Sequence, residues 1–348
     1  MVFTRRQPAQ ERKTSSSMFL LASDERGMGK INTMTSFTTP VIFIVFSRPD
    51  SSRMVFHAIA RQRPSRLLII ADGPRLTRPG EPEACQQVRD IVAQVDWPCE
   101  VSTNFSPTNM GCRKRIISGI NWAFSLVNEA IILEDDCLPD PSFFPFCHEL
   151  LGRYRDDNRV SMIAGTNLAW RATPPSPSYF FSRVPHIWGW ATWRRAWSLY
   201  DEHLSQWPAI RASGLLEQAF SERRLVRCWT KIFDQMHAGT GPNTWDYQWS
   251  YTNIVHNSLI AVPRTNLITN IGFGPGATHT LDADPDFVLP SAPIEFPLVH
   301  PPAMIPMRSL DHLNQRLSFP TFPKRLRLKV HNLRRRALGL VSFASGRV

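Results

Sequence analysis

Between residues 40 and 164, short apolar runs alternate with longer amphipathic stretches. The runs have the length of strands, at residues 41–46, 66–71, 129–133 and 160–164, and the more polar segment 99–104 is predicted as a further strand. The stretches between them place apolar side chains at helical spacing, at residues 50–61, 82–94, 111–127 and 143–154. Because strands that alternate with helices pair in parallel through right-handed crossovers, the pattern predicts an α/β fold with a mostly parallel sheet flanked by helices.

The pattern changes after residue 164. Residues 165–260 contain nine of the eleven tryptophans, together with many prolines and glycines. This composition is typical of a less regular region that covers a cleft, although residues 215–235 again show helical spacing. Residues 1–39 are polar and rich in Ser and Thr, and we expect them to be disordered.

The positive charge of the chain lies at its ends. The formal net charge is +11, of which residues 1–39 contribute +3 and residues 318–348 contribute +8, so that residues 40–317 are neutral. A neutral folded region argues against nucleic-acid binding through a broad positive face. In residues 324–344, apolar side chains recur at helical spacing among the cations. This predicts either a basic amphipathic helix at a membrane surface or a disordered, solubilising tail.

The six cysteines form no C-x-x-C pair, so the sequence shows no sign of a structural zinc site. A chain of this length without a recognisable secretory signal is not expected to rely on disulfides. The apolar run at 41–46 is too short to cross a bilayer. We therefore expect a cytoplasmic protein, in peripheral contact with the inner face of the cell membrane if residues 324–344 bind lipid.

Three carboxylates, Glu134, Asp135 and Asp136, directly follow the apolar run at 129–133. Adjacent acids repel one another and resist burial unless they are paired or bind a cation. Ligands of open α/β sheets bind at strand ends, and carboxylate oxygens suit Mg²⁺ and Mn²⁺. The triplet therefore indicates a metal site for a phosphorylated ligand, with a solvated loop as the alternative. In an extended chain Glu134 and Asp136 would point one way and Asp135 the other.

The segment 131–136, Ile-Ile-Leu-Glu-Asp-Asp, and the segment 139–144, Pro-Asp-Pro-Ser-Phe-Phe, together resemble the donor-binding segment of GT-A-fold glycosyltransferases. The sequence is most similar here to N-acetylglucosaminyltransferase I and to bacterial nucleotide-diphospho-sugar transferases of glycosyltransferase family 2. The resemblance implies that Asp136 ligates Mn²⁺ or Mg²⁺ on the donor diphosphate. It also implies that Asp135 contacts the ribose and that Glu134 faces the donor sugar.

The same resemblance implies three further donor contacts. Arg48 follows the first predicted strand, where the family has an Arg on the donor phosphate or nucleotide, and Asp72 follows the second, where an Asp lies near the uracil. Arg113 opens the helix before the triplet, where a glycine and cations can assist a diphosphate. The alternatives are a surface Arg48, ordinary turn chemistry for Asp72 and a solvated basic helix end for Arg113.

Two tryptophan-rich segments extend the resemblance. Gly189 and Trp190 resemble the family's segment beneath the donor sugar. Glycine permits close approach of the backbone to a ligand, and indole rings stack on the apolar faces of sugars. A hydrophobic core helix is the alternative. Asp246 matches the catalytic base of a Trp-Asp-Asp-Trp segment, with a helix cap as the alternative. This chain departs from that segment, since it has one Asp and then two residues before the next Trp.

A late histidine completes the metal site in many GT-A enzymes. His279, in the glycine-rich stretch 270–280, is the candidate here, and a structural loop histidine is the alternative. The eukaryotic relative named above does not obviously require such a ligand.

The five motifs occur in the family's order over residues 40–280. The resemblance implies a metal-dependent, inverting glycosyltransferase, with a nucleotide-binding half at 40–140, an acceptor half at 141–300, and a linker and basic tail at 301–348. Its donor would be a nucleotide-diphospho-sugar, with UDP favoured, and its acceptor a glycan or lipid-linked hydroxyl, as in bacterial cell-envelope polysaccharide synthesis. The alternatives are a sugar nucleotidyltransferase, whose glycine-rich basic turn after the first strand is missing, and a non-catalytic, membrane-lytic protein.

Overall fold

The structure is a computed structural model that describes residues 37–174, 176–220, 222–272 and 289–319. The strands in these ranges are β1 (Val41–Val45), β2 (Arg66–Ala71), β3 (Glu100–Phe105), β4 (Glu129–Glu134), β5 (Cys137–Pro139), β6 (Val160–Ala164), β7 (Tyr179–Ser182), β8 (Trp190–Trp193), β9 (Leu259–Pro263) and β10 (Ile268–Asn270). The helices are α1 (Pro49–Gln62), α2 (Glu81–Val92), α3 (Cys112–Leu126), α4 (Phe143–Arg153), α5 (Arg194–Trp197), α6 (Trp207–Ser213), α7 (Leu216–Ala219), α8 (Arg223–His237), α9 (Asp246–Val255) and α10 (Arg308–Ser318).

Eight of these strands form one sheet in the order β3-β2-β1-β4-β8-β6-β9-β7. Strand β1 pairs in parallel with β2 and β4, β2 with β3, and β6 with β9. Strand β8 runs antiparallel between β4 and β6, and β7 runs antiparallel to β9 at the edge. Six of the eight strands therefore share one direction. This mostly parallel sheet flanked by helices confirms the predicted α/β fold class and is consistent with a Rossmann-like GT-A fold.

Except for the edge strand β3, which is largely polar and exposed, the strands of this sheet are apolar on both faces because helices cover both. Along β1, Val41, Phe43 and Val45 pack into a cluster that includes residues of α1, α2 and α4. The alternate residues, Ile42 and Ile44, pack into a second cluster with α3. All five side chains are at most 7% exposed. Such continuous apolar strands are what a parallel sheet covered by crossover helices requires, and this explains why the apolar runs predicted these strands to within about a residue.

A third apolar cluster, separate from the two sheet clusters, joins α6, α8 and α9. Trp207, Trp229, Phe233 and Tyr251 form its centre. The rings of Trp229 and Phe233 stack with centroids 5.2 Å apart. The helix predicted over 215–235 is in fact two helices, α7 and α8, because the backbone becomes extended directly after α7. Part of the tryptophan-rich region is therefore a helical layer with its own core. Five of its tryptophans pack in the sheet clusters instead: Trp190, Trp193, Trp197, Trp245 and Trp249.

The N-terminal boundary of the fold lies earlier than predicted. Phe37 forms an isolated bridge with Pro64, and its ring meets Phe144 edge-on with centroids 6.0 Å apart. Thr39 Oγ1 lies 2.6 Å from His148 Nδ1. Residues 37–39 thus belong to the folded body, and the rest of the extension predicted to be disordered lies outside the described residues.

The C-terminal part also differs from the predicted linker. Helix α10 buries Leu310, and the carboxylate of Asp311 accepts hydrogen bonds from Ser182 Oγ and from the backbone N–H of Arg183. Residues 301–319 therefore pack on the body, and the predicted basic helix at 324–344 lies outside the described residues. None of the described helices is both long and apolar enough to cross a membrane.

Arg115 joins α3 to the carboxyl ends of β2 and β3. The residue is 4% exposed, its Nε donates to the Ala71 carbonyl at 3.1 Å, and its Nη2 donates to Asn104 Oδ1 at 2.7 Å. Burial lowers the pKa of Arg115. These hydrogen bonds connect the carboxyl ends of β2 and β3 at the edge of the sheet where Glu134, Asp135 and Asp136 also lie.

Arg115→Met should lower the free energy of unfolding by about 2–3 kcal/mol, because it leaves buried oxygen acceptors without their charged donor. The exposed neighbour Lys114 provides the control, since Lys114→Met should change stability by no more than about 0.5 kcal/mol. Urea denaturation of both variants measures the difference. Equal stabilities would show that Arg115 does not brace the edge.

Candidate active site

The acidic triplet lies at the carboxyl edge of the sheet. Strand β4 pairs with β1, with Glu134 opposite Ile44, and with β8 on its other side. The strand ends at Glu134, and Asp135 and Asp136 form a turn that leads into β5. Because β1 and β4 run in parallel, the loop that follows β1 reaches the same edge, which is where open α/β sheets bind ligands.

Arg48, in the loop after β1, bridges two acids of the triplet. Its Nη1 donates to Asp136 Oδ2 at 2.7 Å and to Asp135 Oδ1 at 3.3 Å. The backbone N–H of Phe46 donates to the second oxygen of Asp135 at 3.1 Å. The predicted divergence of Asp135 from Asp136 is therefore wrong: the strand ends before them, and the turn directs both carboxylates to one guanidinium.

The triplet concentrates negative charge in a region shielded from water. Burial, followed by the charges of Asp136, Asp135 and Asp246, raises the pKa of Glu134 well above its ordinary value, against the opposing effect of Arg48. Burial also raises the pKa of Asp135, with a further contribution from Asp136. Burial acts to lower the pKa of Arg48, but the neighbouring carboxylates together raise it. The site therefore favours the arrival of further positive charge.

The β5–β10 ladder packs against Asp136. The backbone N–H of Ile271, directly after β10, donates to the Asp136 carbonyl at 2.8 Å. A Cβ at the next residue, Gly272, would lie 2.8 Å from both Cβ and Cγ of Asp136, which is closer than real side chains approach. Glycine at position 272 thus avoids a steric clash with the side chain of Asp136. His279, predicted as a second metal ligand, lies outside the described residues.

The carboxylate oxygens of the triplet are suitable ligands for a hard divalent cation that a substrate also helps to bind. Among the described residues, no three His, Cys, Asp or Glu side chains are grouped as a complete metal site. Mg²⁺ is commonly bound through one or two carboxylates together with substrate phosphates and water. Asp136 at a strand end, within an excess of carboxylates, fits that mode, and the metal itself stays a prediction.

Asp72 holds the loop that precedes α3. Its carboxylate is 7% exposed and accepts hydrogen bonds from the backbone N–H groups of Gly73, Met110 and Gly111, at 2.9, 2.9 and 3.0 Å. These hydrogen bonds stabilise the turn, as expected from the alternative interpretation of Asp72 as an ordinary turn residue. Contact with a nucleotide base stays a prediction.

Arg113 lies at the start of α3 and faces the helical layer. Its Nη2 donates to the Glu202 carbonyl at 2.9 Å, and its backbone N–H donates to Asn243 Oδ1 at 3.1 Å. These bonds connect the sheet edge to the segment that precedes α9. A contact between Arg113 and a diphosphate stays a prediction, and it would compete with these partners.

Asp246 approaches the triplet from the helical layer. It is the first residue of α9, and its carboxylate accepts a hydrogen bond from Thr244 Oγ1. The N-cap residue of α9 is Trp245, without a side-chain capping bond, so the helix-cap alternative for Asp246 is not what the structure shows. Asp246 is near enough to contribute to the raised pKa of Glu134. Asp246 is therefore within electrostatic range of Glu134, although the two residues are far apart in the chain.

The predicted sugar contact of Trp190 is corrected by the structure. Trp190 begins strand β8, is 1% exposed and stacks on Trp245 with centroids 5.5 Å apart, so it is a core residue and not a sugar platform. The preceding Gly189 has a φ of +58°. A Cβ there would lie 2.7 Å from Ile268 Cγ1, so packing as well as backbone conformation requires glycine. A donor contact by Gly189 stays a prediction.

A cavity of about 390 Å³ adjoins Asp246. Its walls come from the segment 184–188, from α8 and α9, and from the end of α10. The half-buried residues Trp188 and Tyr247 line it, as does Phe319. Asp246, which lines the cavity, also contributes to the raised pKa of Glu134, so this residue links the cavity to the triplet.

His186 lines the same cavity and should make folding sensitive to acid. Burial lowers the pKa of His186 to about 4, against a smaller opposing effect of Asn314, from an ordinary 6.5. The unfolded chain then binds more protons than the folded one between these values, so stability falls as the pH drops from 6.5 to 4. At about 1.36 kcal/mol per pKa unit the loss is up to roughly 3 kcal/mol.

His186→Gln should remove this part of the acid sensitivity, as measured by the free energy of unfolding at pH 7.5 and pH 4.5. The exposed His256 provides the control, and His256→Gln should keep the wild-type pH dependence. An unchanged loss in His186→Gln would mean that another group causes it.

Several residues of this region carried no signal in the sequence. His186 and Trp229 lie in segments without a recognisable motif, and Gln315 falls in the stretch interpreted as a linker. Only the packing of α10 on the body brings Gln315 to the cavity. Arg115 was one cation in a basic run, and its burial depends on the strands it joins.

The sequence matches no protein-family profile. It also matches no curated protein. Among solved structures, the chain is similar to apo mouse xyloside xylosyltransferase 1, at 10% identity over 64% of this chain and 85% of that chain, with a TM-score of 0.33. It is similar to apo UDP-glucose pyrophosphorylase, at 10% identity, 68% and 94% coverage and a TM-score of 0.31. It is also similar to 4-diphosphocytidyl-2C-methyl-D-erythritol synthase from Anaerococcus prevotii, at 6% identity, 49% and 78% coverage and a TM-score of 0.29. At these TM-scores the likeness carries no argument about chemistry.

Proposed function

We propose that the protein is a glycosyltransferase that moves a sugar from a nucleotide-diphospho-sugar to an acceptor hydroxyl, with inversion at the anomeric carbon. One observation supports this most: Arg48 and the acidic triplet share the carboxyl edge of β1 and β4, and Asp246, which lines a cavity, is close enough to affect the pKa of Glu134. A site that holds the donor and the acceptor in a fixed relative orientation lowers the activation barrier of such a transfer.

On the donor side, Asp136 would hold Mn²⁺ or Mg²⁺ together with the diphosphate oxygens. When bound, the cation would stabilise the negative charge that develops on the leaving diphosphate. Arg48 already lies 2.7 Å from Asp136 and could donate to a phosphate oxygen from there. Asp135, held by the Phe46 backbone, would orient the ribose, and Glu134 would face the sugar.

On the acceptor side, Asp246 would accept the proton of the attacking hydroxyl. Asp246 comes from α9 and the triplet from β4. The mechanism requires the donor to bind with its diphosphate at the triplet and the opposite face of its sugar towards Asp246. Attack from that face gives inversion. Residues 324–344 would add peripheral contact with a membrane that carries lipid-linked acceptors.

The test is an incubation with UDP-, GDP-, ADP- and dTDP-sugars, Mn²⁺ and simple glycosides, followed by assay of nucleoside diphosphate and by mass spectrometry of the glycoside. We expect release of one nucleoside diphosphate and a matching mass increase, both abolished by EDTA. Release of pyrophosphate from a nucleoside triphosphate and a sugar 1-phosphate would instead identify a nucleotidyltransferase. Vesicle leakage without either reaction would identify a membrane-lytic protein.

A further inference from the structure

The side chain of Arg48 occupies an oxygen of the carboxylate that is expected to bind the metal. Its Nη1 lies 2.7 Å from Asp136 Oδ2, which is the distance of a strong, charge-assisted hydrogen bond, and 3.3 Å from Asp135 Oδ1. The other oxygen of Asp136 lies 3.5 Å from Cys137 Sγ, and a thiol is only a weak donor. The main partner of the Asp136 carboxylate is therefore a positive charge of the protein itself.

Arg48 in this position opposes the binding of a divalent cation. A cation at Oδ2 would need the lone pair that accepts the hydrogen bond from Arg48. A cation at Oδ1 would lie a few ångströms from the guanidinium, and the two positive charges would repel each other. Water screens this repulsion only in part, because the side chains of Arg48, Asp135 and Asp136 are 23%, 10% and 19% exposed.

A diphosphate changes this balance in two ways. Among the described residues, no three His, Cys, Asp or Glu side chains are grouped as a complete metal site, so a cation that arrives alone finds few ligands to offset the repulsion. The phosphate oxygens supply further ligands for the metal. They are also strong acceptors for a guanidinium, so they can replace Asp136 as the partner of Arg48.

The exchange of partners requires the movement of one side chain only. The backbone carbonyl of Arg48 accepts a hydrogen bond from the Ser52 N–H at 3.0 Å in the first turn of α1, which fixes the main chain. Asp135 keeps the hydrogen bond from the Phe46 N–H, at 3.1 Å, when Arg48 leaves. Rotation of the Arg48 side chain is therefore enough to release the Asp136 carboxylate.

We propose that Arg48 is an internal counter-cation that keeps divalent metal off Asp136 until a diphosphate accepts the guanidinium, so that metal and diphosphate bind together. The inference rests on the proposed function for the diphosphate. It goes beyond that function because it gives Arg48 an unfavourable effect on the metal in the absence of donor. Since coupling between two ligands is reciprocal, the metal and the diphosphate each strengthen the binding of the other.

Titration of the full chain with Mn²⁺ alone, followed by the EPR signal of the free ion, tests the inference without turnover. Arg48→Met removes the positive charge, and Arg48→Gln removes it but keeps an N–H donor for Asp136, which protects the fold. Each should bind Mn²⁺ about ten-fold more tightly than the wild type, because a like charge has left the ligand oxygen. Arg48→Lys keeps the charge and should change the Kd by no more than about two-fold.

Arg53→Met is the matched control. It removes the same charge from α1, where Arg53 pairs with Asp50 at 3.6 Å, and it should leave the Kd for Mn²⁺ unchanged. A purely structural role of Arg48 would give the opposite result from the inference, since damage to the site would weaken the binding of Mn²⁺. Unchanged or weaker binding of Mn²⁺ by both neutral variants would overturn the inference.

A second titration with Mn²⁺ adds UDP, GDP, ADP or dTDP and is corrected for the complex that each forms with Mn²⁺ in solution. One nucleoside diphosphate should tighten the binding of Mn²⁺ to the wild type. The factor should be about ten-fold smaller in Arg48→Met and Arg48→Gln, because no guanidinium has to be moved. An equal factor in all the proteins would overturn the inference and leave the proposed function standing. If none of the four tightens the binding of Mn²⁺ to the wild type, both fail.

Discussion

Asp246→Asn should retain binding of the donor and lose glycosyl transfer. The amide preserves the size of the side chain and can still interact with Thr244, so α9 should begin at the same place. It cannot accept a proton, and removal of a general base typically costs about 10²–10⁴-fold in rate. We therefore expect kcat to fall by that factor while the Kd for the donor changes less than about three-fold.

The control for this variant is a nearby carboxylate outside the cavity. Glu202 lies 3.9 Å from Arg113 Nε and is more than a third exposed, so Glu202→Gln should keep nearly full activity. Transfer by Asp246→Asn at the wild-type rate would remove Asp246 from the mechanism. A parallel loss of donor affinity would instead assign Asp246 to binding.

Asp136→Asn should abolish the effect of Mn²⁺ on donor binding. The carboxylate is the predicted protein ligand of the cation, and an amide oxygen is a much weaker one. We expect the donor to bind the wild type at least 100-fold more tightly with Mn²⁺ than with EDTA, and to bind the variant equally weakly in both. Isothermal titration of donor and of Mn²⁺ alone would measure the two effects.

Asp140 provides a matched control four residues away. Its Oδ1 accepts hydrogen bonds from the backbone N–H and the hydroxyl of Ser142, which is a turn role at the start of α4. Asp140→Asn should therefore lower stability slightly and leave the Mn²⁺ effect intact. A full Mn²⁺ effect in Asp136→Asn would place the cation elsewhere or exclude it from the donor site.

Although β7, β8 and β9 of the same sheet were not predicted from the local pattern, that pattern was enough for β1, β2, β4 and β6, because these strands are buried on both faces. Their apolar runs, such as Val41–Val45, need no tertiary information to be recognised. The same holds for the position of the triplet, since parallel strands bring their carboxyl ends to one edge. That Arg48 reaches Asp136 follows from the pairing of β1 with β4, which the alternation of helices and strands does not specify.

Features that depend on long-range packing were not predictable in this way. The tryptophan density around Trp190 suggested a sugar platform, but β8 inserts between β4 and β6, and this central position buries the ring. The interpretation of 301–319 as a linker failed because α10 has few apolar residues and is held by Leu310 and by the Asp311–Ser182 bond. Side chains of the cavity, such as Gln315, could not be found without that packing.

The most direct test of the central claim is the thermal stability of the wild-type protein with each nucleotide-sugar, with and without Mn²⁺. A ligand that binds only the folded state stabilises it by about 2.7 kcal/mol at 100 times its Kd. The account predicts that the nucleotide-sugars of one nucleotide raise the melting temperature, that this rise requires Mn²⁺ or Mg²⁺, and that EDTA reverses it. No metal-dependent rise with any nucleotide-sugar would contradict the assignment of the acidic edge to a nucleotide-diphospho-sugar.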